Sequence, residues 1–178
     1  MKLLGLLRHA KSDWDDMSLR DFDRGLNGRG RQGAALMGEH IREHGVQWER
    51  AIASPAERVR RTLESSGLDV PVTFEDRAYL ADATTLTLLL QSLASEDPRS
   101  VLVVAHNPGL QDLALSLVGP AGENALFGEV LTKYPTASFA VLELDIDNWA
   151  DLRPRCGRIV HFARPRDLDP ELGPETAF

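Results

Sequence analysis

Two short apolar runs, Lys2–Leu7 and Ser100–Ala105, each lead straight into a polar junction that carries a histidine. The first is followed by Arg8-His9 and the second by His106. Runs of this length, bounded by turn-forming residues, read as buried strands. Further strands are predicted at Arg50–Ala53, Val72–Phe74, Ser138–Leu144 and Arg158–Phe162. Helical periodicity predicts helices at Asn27–Glu43, Pro55–Ser65, Thr84–Ser95 and Pro108–Val118. Ala34, Met37 and Ile41 share a face of the first, and Leu110, Leu113, Ala114 and Leu117 share a face of the last. Strands alternating with helices define an α/β fold, a mostly parallel central sheet flanked by helices on both faces. Ligands bind such sheets at the carboxyl ends of the strands, so two histidines and an arginine arrive at one edge.

Composition narrows what that edge serves. The chain of 178 residues suits a single domain over 1–178, with 164–178 expected as a surface tail. A net charge of −7 argues against a nucleic-acid binder. Met1–Leu7 is too short to span a membrane and lacks the cleavage site of a signal peptide, so a cytoplasmic protein without membrane attachment is expected. The lone Cys156 excludes an intramolecular disulfide, and Phe162 stands where a cysteine phosphatase loop needs arginine.

Ser54-Pro55 and Asn107-Pro108 share one grammar, a capping residue before a proline that opens a helix. Helix N-termini favour anions, although capping alone accounts for Ser54 and Asn107. Arg58 falls on the first turn of its helix, where it pairs naturally with Arg8 as two guanidinium forks for phosphate oxygens. Arg60 and Arg61 read as solvated charges. A neutral His9 can attack phosphorus, and a positively charged His106 can stabilise the equatorial oxygens.

Three ordered segments carry a resemblance. Leu7-Arg8-His9-Ala10, Ser54-Pro55-x-x-Arg58-x-x-x-Thr62 and Ala105-His106-Asn107-Pro108 resemble the signatures of the histidine phosphatase superfamily, the phosphoglycerate-mutase-like fold. Arg8–Trp14, Asp21–Gly30 and Phe162-x-x-Pro165-Arg-Asp-Leu168 are similar to its short SixA-type phosphohistidine phosphatases. The resemblance implies a nucleophilic His9, phosphate binding by Arg8, Arg58, His106 and Asn107, and neither metal nor organic cofactor. Ala10 replaces a glycine common at that position.

Relatives that cleave phosphate esters protonate the leaving alkoxide with a carboxylic acid. Asn107 cannot do this, and of Glu75, Asp76 and Asp82 the best candidate is Asp82, which also reads as a helix cap. Imidazole leaves more easily than an alkoxide, its conjugate acid having a pKa of about 6.5. The expected function is therefore hydrolysis of phosphohistidine on a protein of histidine-phosphotransfer or phosphocarrier type. The alternatives are a phosphomonoesterase acting on a small phosphorylated metabolite and a phosphoprotein-binding module with little turnover. His40 and His44, spaced i, i+4, read as a solvated pair, and His161 as structural. Asp145-Ile-Asp147 resembles an aspartate-nucleophile loop, but too little chain follows it. The charged loop Ser12–Leu26 follows the nucleophile and is placed to shape access.

Overall fold

β1 (Lys2–Arg8) and β4 (Ser100–Ala105) are parallel neighbours in the computed structural model, which describes residues 1–174. β2 (Arg50–Ala53) pairs parallel with β4, and β3 (Val72–Phe74) pairs parallel with β2. On the other side β5 (Phe139–Leu144) runs antiparallel to β1, and β6 (Gly157–Ala163) runs antiparallel to β5. The order across the six-stranded sheet is β3-β2-β4-β1-β5-β6, so the parallel strands form its functional half.

The two-residue period of the strands sorts their side chains to opposite faces. Leu4, Leu6, Val101 and Val103 pack with Leu86, Leu89 and Leu90 of α3 (Ala83–Gln91) and with Leu110 and Leu113 of α4 (Gly109–Leu117). Leu7, Leu102 and Val104 face the other way, onto Met37 and Ile41 of α1 (Gly28–His44) and Val59 of α2 (Glu57–Ser66). Helices therefore cover both faces. Among the described residues no helix is long and apolar enough to cross a membrane.

Several expectations change here. The predicted helix Thr84–Ser95 ends early, because the Ser92 hydroxyl donates to the Leu89 carbonyl and turns follow. Gly119–Pro135, read as loop, contains α5 (Ala125–Thr132), capped by Asn124, whose Oδ1 accepts from Phe127 N at 3.0 Å. Its short length and internal Gly128 hide it from pattern reading. The segment after Arg164, expected as a surface tail, forms α6 (Pro165–Leu168) and a 3-10 turn at Pro170–Leu172. Arg29 of α1 ties it down by donating to the carbonyls of Glu171 and Gly173. Positions 175–178 of the expected tail lie outside the described residues.

α1 and α2 approach so closely that a Cβ at Gly38 would stand 2.0 Å from the Ser66 carbonyl oxygen. Backbone cannot yield as a side chain does. Gly38→Ala is expected to cost about 1–3 kcal/mol of stability, lowering the urea midpoint with an unchanged slope. An unchanged midpoint would show that α1 slides freely on α2.

Candidate active site

The β1–β4 register pairs Arg8 with Ala105, so the next residues on each strand, His9 and His106, emerge side by side. The ladder continues one step further, with His9 N donating to the Ala105 carbonyl at 3.1 Å. Ser54 leaves β2 at the same level, its N–H bonded to the Val104 carbonyl at 3.0 Å. The imidazoles of His9 and His106 end with ring centroids 5.3 Å apart. Arg8, His9, Arg58, His106 and Asn107 all line one open pocket of ≈ 300 Å³, together with Asp21, Trp14 and Leu80.

Each side chain is held by a traceable partner. His9 Nδ1 lies 2.7 Å from the Ala10 carbonyl oxygen, which accepts only from a protonated nitrogen. That bond fixes the proton on Nδ1 and leaves the lone pair on Nε2. Ala10 is itself fixed, since its N–H donates to Thr62 Oγ1 at 2.9 Å and the Thr62 hydroxyl donates to the Arg58 carbonyl at 2.7 Å. The motif residue Thr62, without an assigned role in the sequence, thus orients the turn carrying His9. Ala137, at φ 60°, closes that turn from outside, donating its N–H to the carbonyls of Arg8 and His9.

His106 Nδ1 accepts from Arg58 Nη2 at 3.3 Å, while its Nε2 meets Ser54 Oγ at 2.7 Å. With Nδ1 accepting, Nε2 carries the proton and donates to Ser54. Ser54 is therefore a partner of His106 and not the cap of α2, which Ala56 opens without a side-chain cap. Asn107 precedes the N-cap of α4, which is Pro108, but its Oδ1 still accepts from Gln111 N at 3.1 Å on the first turn. Its amide nitrogen donates to Gln111 and to the Tyr134 carbonyl, so the amide expected to bind phosphate is engaged with protein at both ends. Arg8 Nη1 donates to the same Tyr134 carbonyl at 2.9 Å, making Tyr134, just after α5, an orienting residue that sequence reading missed.

Asp82 is corrected. It is exposed, its Oδ1 accepts from Thr85 N at 2.8 Å as the cap of α3, and it does not line the pocket. The Thr85 bonds hold its carboxyl below the usual range, the wrong direction for an acid. Glu75 and Asp76 are likewise absent from the lining. The carboxylate that does line the pocket is Asp21, from a short 3-10 turn in the loop after β1. It pairs with Arg58 Nη2 at 3.1 Å and accepts from the Tyr79 hydroxyl. The Tyr79 bond first, and then Arg58, hold its carboxyl below the usual range despite some opposing desolvation.

Burial dominates the electrostatics of the histidines. It pushes His9 down to about 4 and His106 to about 3, with the cations Arg58 and Arg8 acting in the same direction. Both rings are neutral at pH 7 in this arrangement, whereas the charge expected on His106 belongs to the site with a phosphoryl group bound. A phosphoryl group beside Nδ1 acts oppositely to the arginines and favours its protonation.

Elsewhere, His40, His44 and His161 gather between α1 and β6 and are not solvated singly: His40 Nε2 and His161 Nε2 lie 2.8 Å apart, and the His44 and His161 rings 4.3 Å. His44 Nδ1 is buried without a hydrogen-bond partner, and among the described residues no group of three or more His, Cys, Asp or Glu could hold a metal ion.

Two neutral imidazoles beside two guanidinium groups could hold a phosphoryl group and offer it a ring nitrogen, and comparison with known proteins identifies the family. Residues 4–82 match the histidine phosphatase superfamily (branch 1). The phosphohistidine phosphatase SixA of Escherichia coli is 30% identical over 145 residues, covering 79% of this chain and 84% of that protein. The chain belongs to the histidine phosphatase superfamily and is a phosphatase. Within the superfamily it falls in the SixA-type branch: a solved protein histidine phosphatase SixA, complexed with tungstate, superposes with a TM-score of 0.75 at 25% identity, over 94% of this chain and 99% of that one. An uncharacterised protein of Mycobacterium leprae is 34% identical over 163 residues, 90% of this chain and 100% of that one.

Ring titrations followed by NMR should place His9 near 4 and His106 near 3, and a tetrahedral anion such as tungstate should raise the His106 midpoint. Because both folded values lie below the unfolded 6.5, the unfolded chain takes up protons first as the pH falls. Stability held by the neutral rings is thus present above pH 6.5 and is lost as the pH falls towards 4 and then 3. A midpoint for His9 near 6.5 would contradict its burial. Asp21→Asn, which keeps the shape and removes the charge opposite Arg58, should lower kcat/KM about three- to tenfold; no change in steady-state kinetics would show that Arg58 needs no orientation from it.

Proposed function

We propose that this phosphatase hydrolyses phosphohistidine on another protein through a covalent phosphohistidine at His9. The observation carrying this reading is the state of the one carboxyl among the described residues lining the pocket. Asp21 is held ionised by Tyr79 and Arg58, so it supplies no proton to a leaving alkoxide. A general acid contributes about 10²–10⁴-fold to such a step, and an ester substrate would forgo it here. A phosphoramidate does not need it, because imidazole departs as a neutral base once its second nitrogen carries a proton.

In the first step the Nε2 lone pair of His9 forms a bond to phosphorus, and the P–N bond of a substrate ring already protonated by solvent at its second nitrogen breaks, its electron pair passing to the departing neutral imidazole. Arg8 and Arg58 balance the charge on the equatorial oxygens, and His106, which takes a proton from solvent at Nδ1 as the dianion arrives, donates to one of them. In the second step water bonds to phosphorus and the P–Nε2 bond breaks. The electron pair returns to His9, a proton leaves to solvent, and inorganic phosphate departs. The name of the Escherichia coli relative and the oxyanion in the solved SixA both support this assignment. The open pocket, walled by Trp14 and Leu80 that are 58% and 57% exposed, suits a side chain presented on a protein surface.

Phosphate release from a phosphohistidine protein should exceed that from sugar phosphates and phosphoserine peptides. His9→Ala should reduce it by at least about 10³-fold, and acid-labile phosphate should appear on the wild-type chain during turnover and not on the variant. Faster release from an ester would replace this reading with a metabolite phosphatase.

A further inference from the structure

Beside the catalytic pocket lies a second cleft of ≈ 260 Å³ that shares Lys11 and Thr136 with it and runs on past Ala10 to the tail after β6. Five of its described lining residues are cationic, Lys11, Arg29, Lys133, Arg164 and Arg166, and none is acidic. The chain as a whole has 27 acidic against 20 basic residues, so this lining reverses the charge of the molecule at one place. Arg164 is paired with Asp167 at 3.0 Å, and Arg29 donates to main-chain carbonyls of the tail. Lys133 and Arg166 form no ion pair among the described residues, although Arg166 acts at longer range on the neighbouring Asp167, which Arg164 already holds. Neither serves the phosphoryl chemistry: both lie outside the pocket that holds His9 and His106.

We propose that this cleft receives acidic side chains of the phosphorylated protein, on the stretch of polypeptide adjoining its phosphohistidine. The proposal rests on the phosphohistidine reading above and names which such proteins fit. A protein of net charge −7 repels an acidic partner in general. A cationic cleft continuous with the reactive pocket turns that repulsion into orientation, admitting the partner only where its carboxylates meet Lys133 and Arg166 while its phosphoryl group reaches His9. The shared wall at Lys11 and Thr136 makes the two sites one continuous surface, so a single extended segment fills both.

The test compares two phosphohistidine peptides of equal length, one flanked by Asp and Glu and the other by Asn and Gln, with phosphoramidate as a probe that has no flanks. The wild-type protein should favour the acidic peptide by about three- to tenfold in kcat/KM, mainly through KM, and the preference should shrink as salt is added. Lys133→Glu with Arg166→Glu should abolish or reverse it while leaving phosphoramidate hydrolysis unchanged, which also certifies the fold. Inhibition of phosphoramidate hydrolysis by the unphosphorylated acidic and neutral peptides gives the same comparison without peptide turnover. Equal treatment of the two peptides by the wild type, or a preference that survives the double charge reversal, overturns the proposal. Failure of the underlying reading looks different: both peptides then lose to phosphate esters, whatever their ratio to each other.

Discussion

The parallel pairing of β1 with β4 is the constraint on which the site depends. Register in a buried strand is set by which side chains enter the core, and a slip by one residue would exchange the faces of Leu6 and Leu7 and of Val103 and Val104. The same register that buries those side chains sets Arg8 opposite Ala105 and so His9 beside His106. Packing energy spread over the sheet therefore fixes the relative position of the two imidazoles. Long-range order is converted into local geometry at the strand ends, where the backbone stops pairing and the side chains can face a ligand.

From that edge outward, each group is oriented by something that is not itself reactive. The Ala10 carbonyl selects the His9 tautomer, Thr62 holds Ala10, and Thr62 belongs to the helix that delivers Arg58. The turn that carries His9 and the helix that carries Arg58 are thus coupled through a fully buried threonine. Ser54 and Arg58 similarly fix both nitrogens of His106. Burial, with His9 and the two guanidinium groups acting in the same direction, holds His106 in the neutral form. Arg8 depends on Tyr134, and hence on α5, an element far from it in the chain.

How much of this is legible in the sequence follows from the range of the interactions. The strands, the main helices and the four central residues Arg8, His9, Arg58 and His106 are written in local pattern and ordered motifs, because periodic burial and strand-end placement leave their marks on adjacent residues. Asp21, Tyr79 and Tyr134 are not written there. Their roles come from contacts across 37, 58 and 126 positions, between a loop, a turn and a helix end whose meeting only the fold specifies. Ser54 and Asp82 mark the opposite limit, the cap that local pattern suggests being absent at Ser54 and present at Asp82. Each has a local pattern with a familiar meaning, and tertiary contact overrides it for Ser54 while local capping prevails for Asp82. The His40–His44–His161 group shows the same limit, since i, i+4 spacing describes one helix face and says nothing about the strand beneath it.

The replacement of Asp82 by Asp21 as the carboxylate of the site is more than a change of residue. An exposed cap could shed its bond to Thr85 and titrate freely, whereas Asp21 is tied to the cation that grips the substrate. Protonating Asp21 would weaken the hold on Arg58 at the moment the transferring phosphoryl group needs it, so the site cannot use that group as an acid without loosening its own phosphate cradle. On the reading proposed above, such a pocket suits a leaving group that brings its own proton, as an imidazole protonated at its second nitrogen does and an unactivated alkoxide does not.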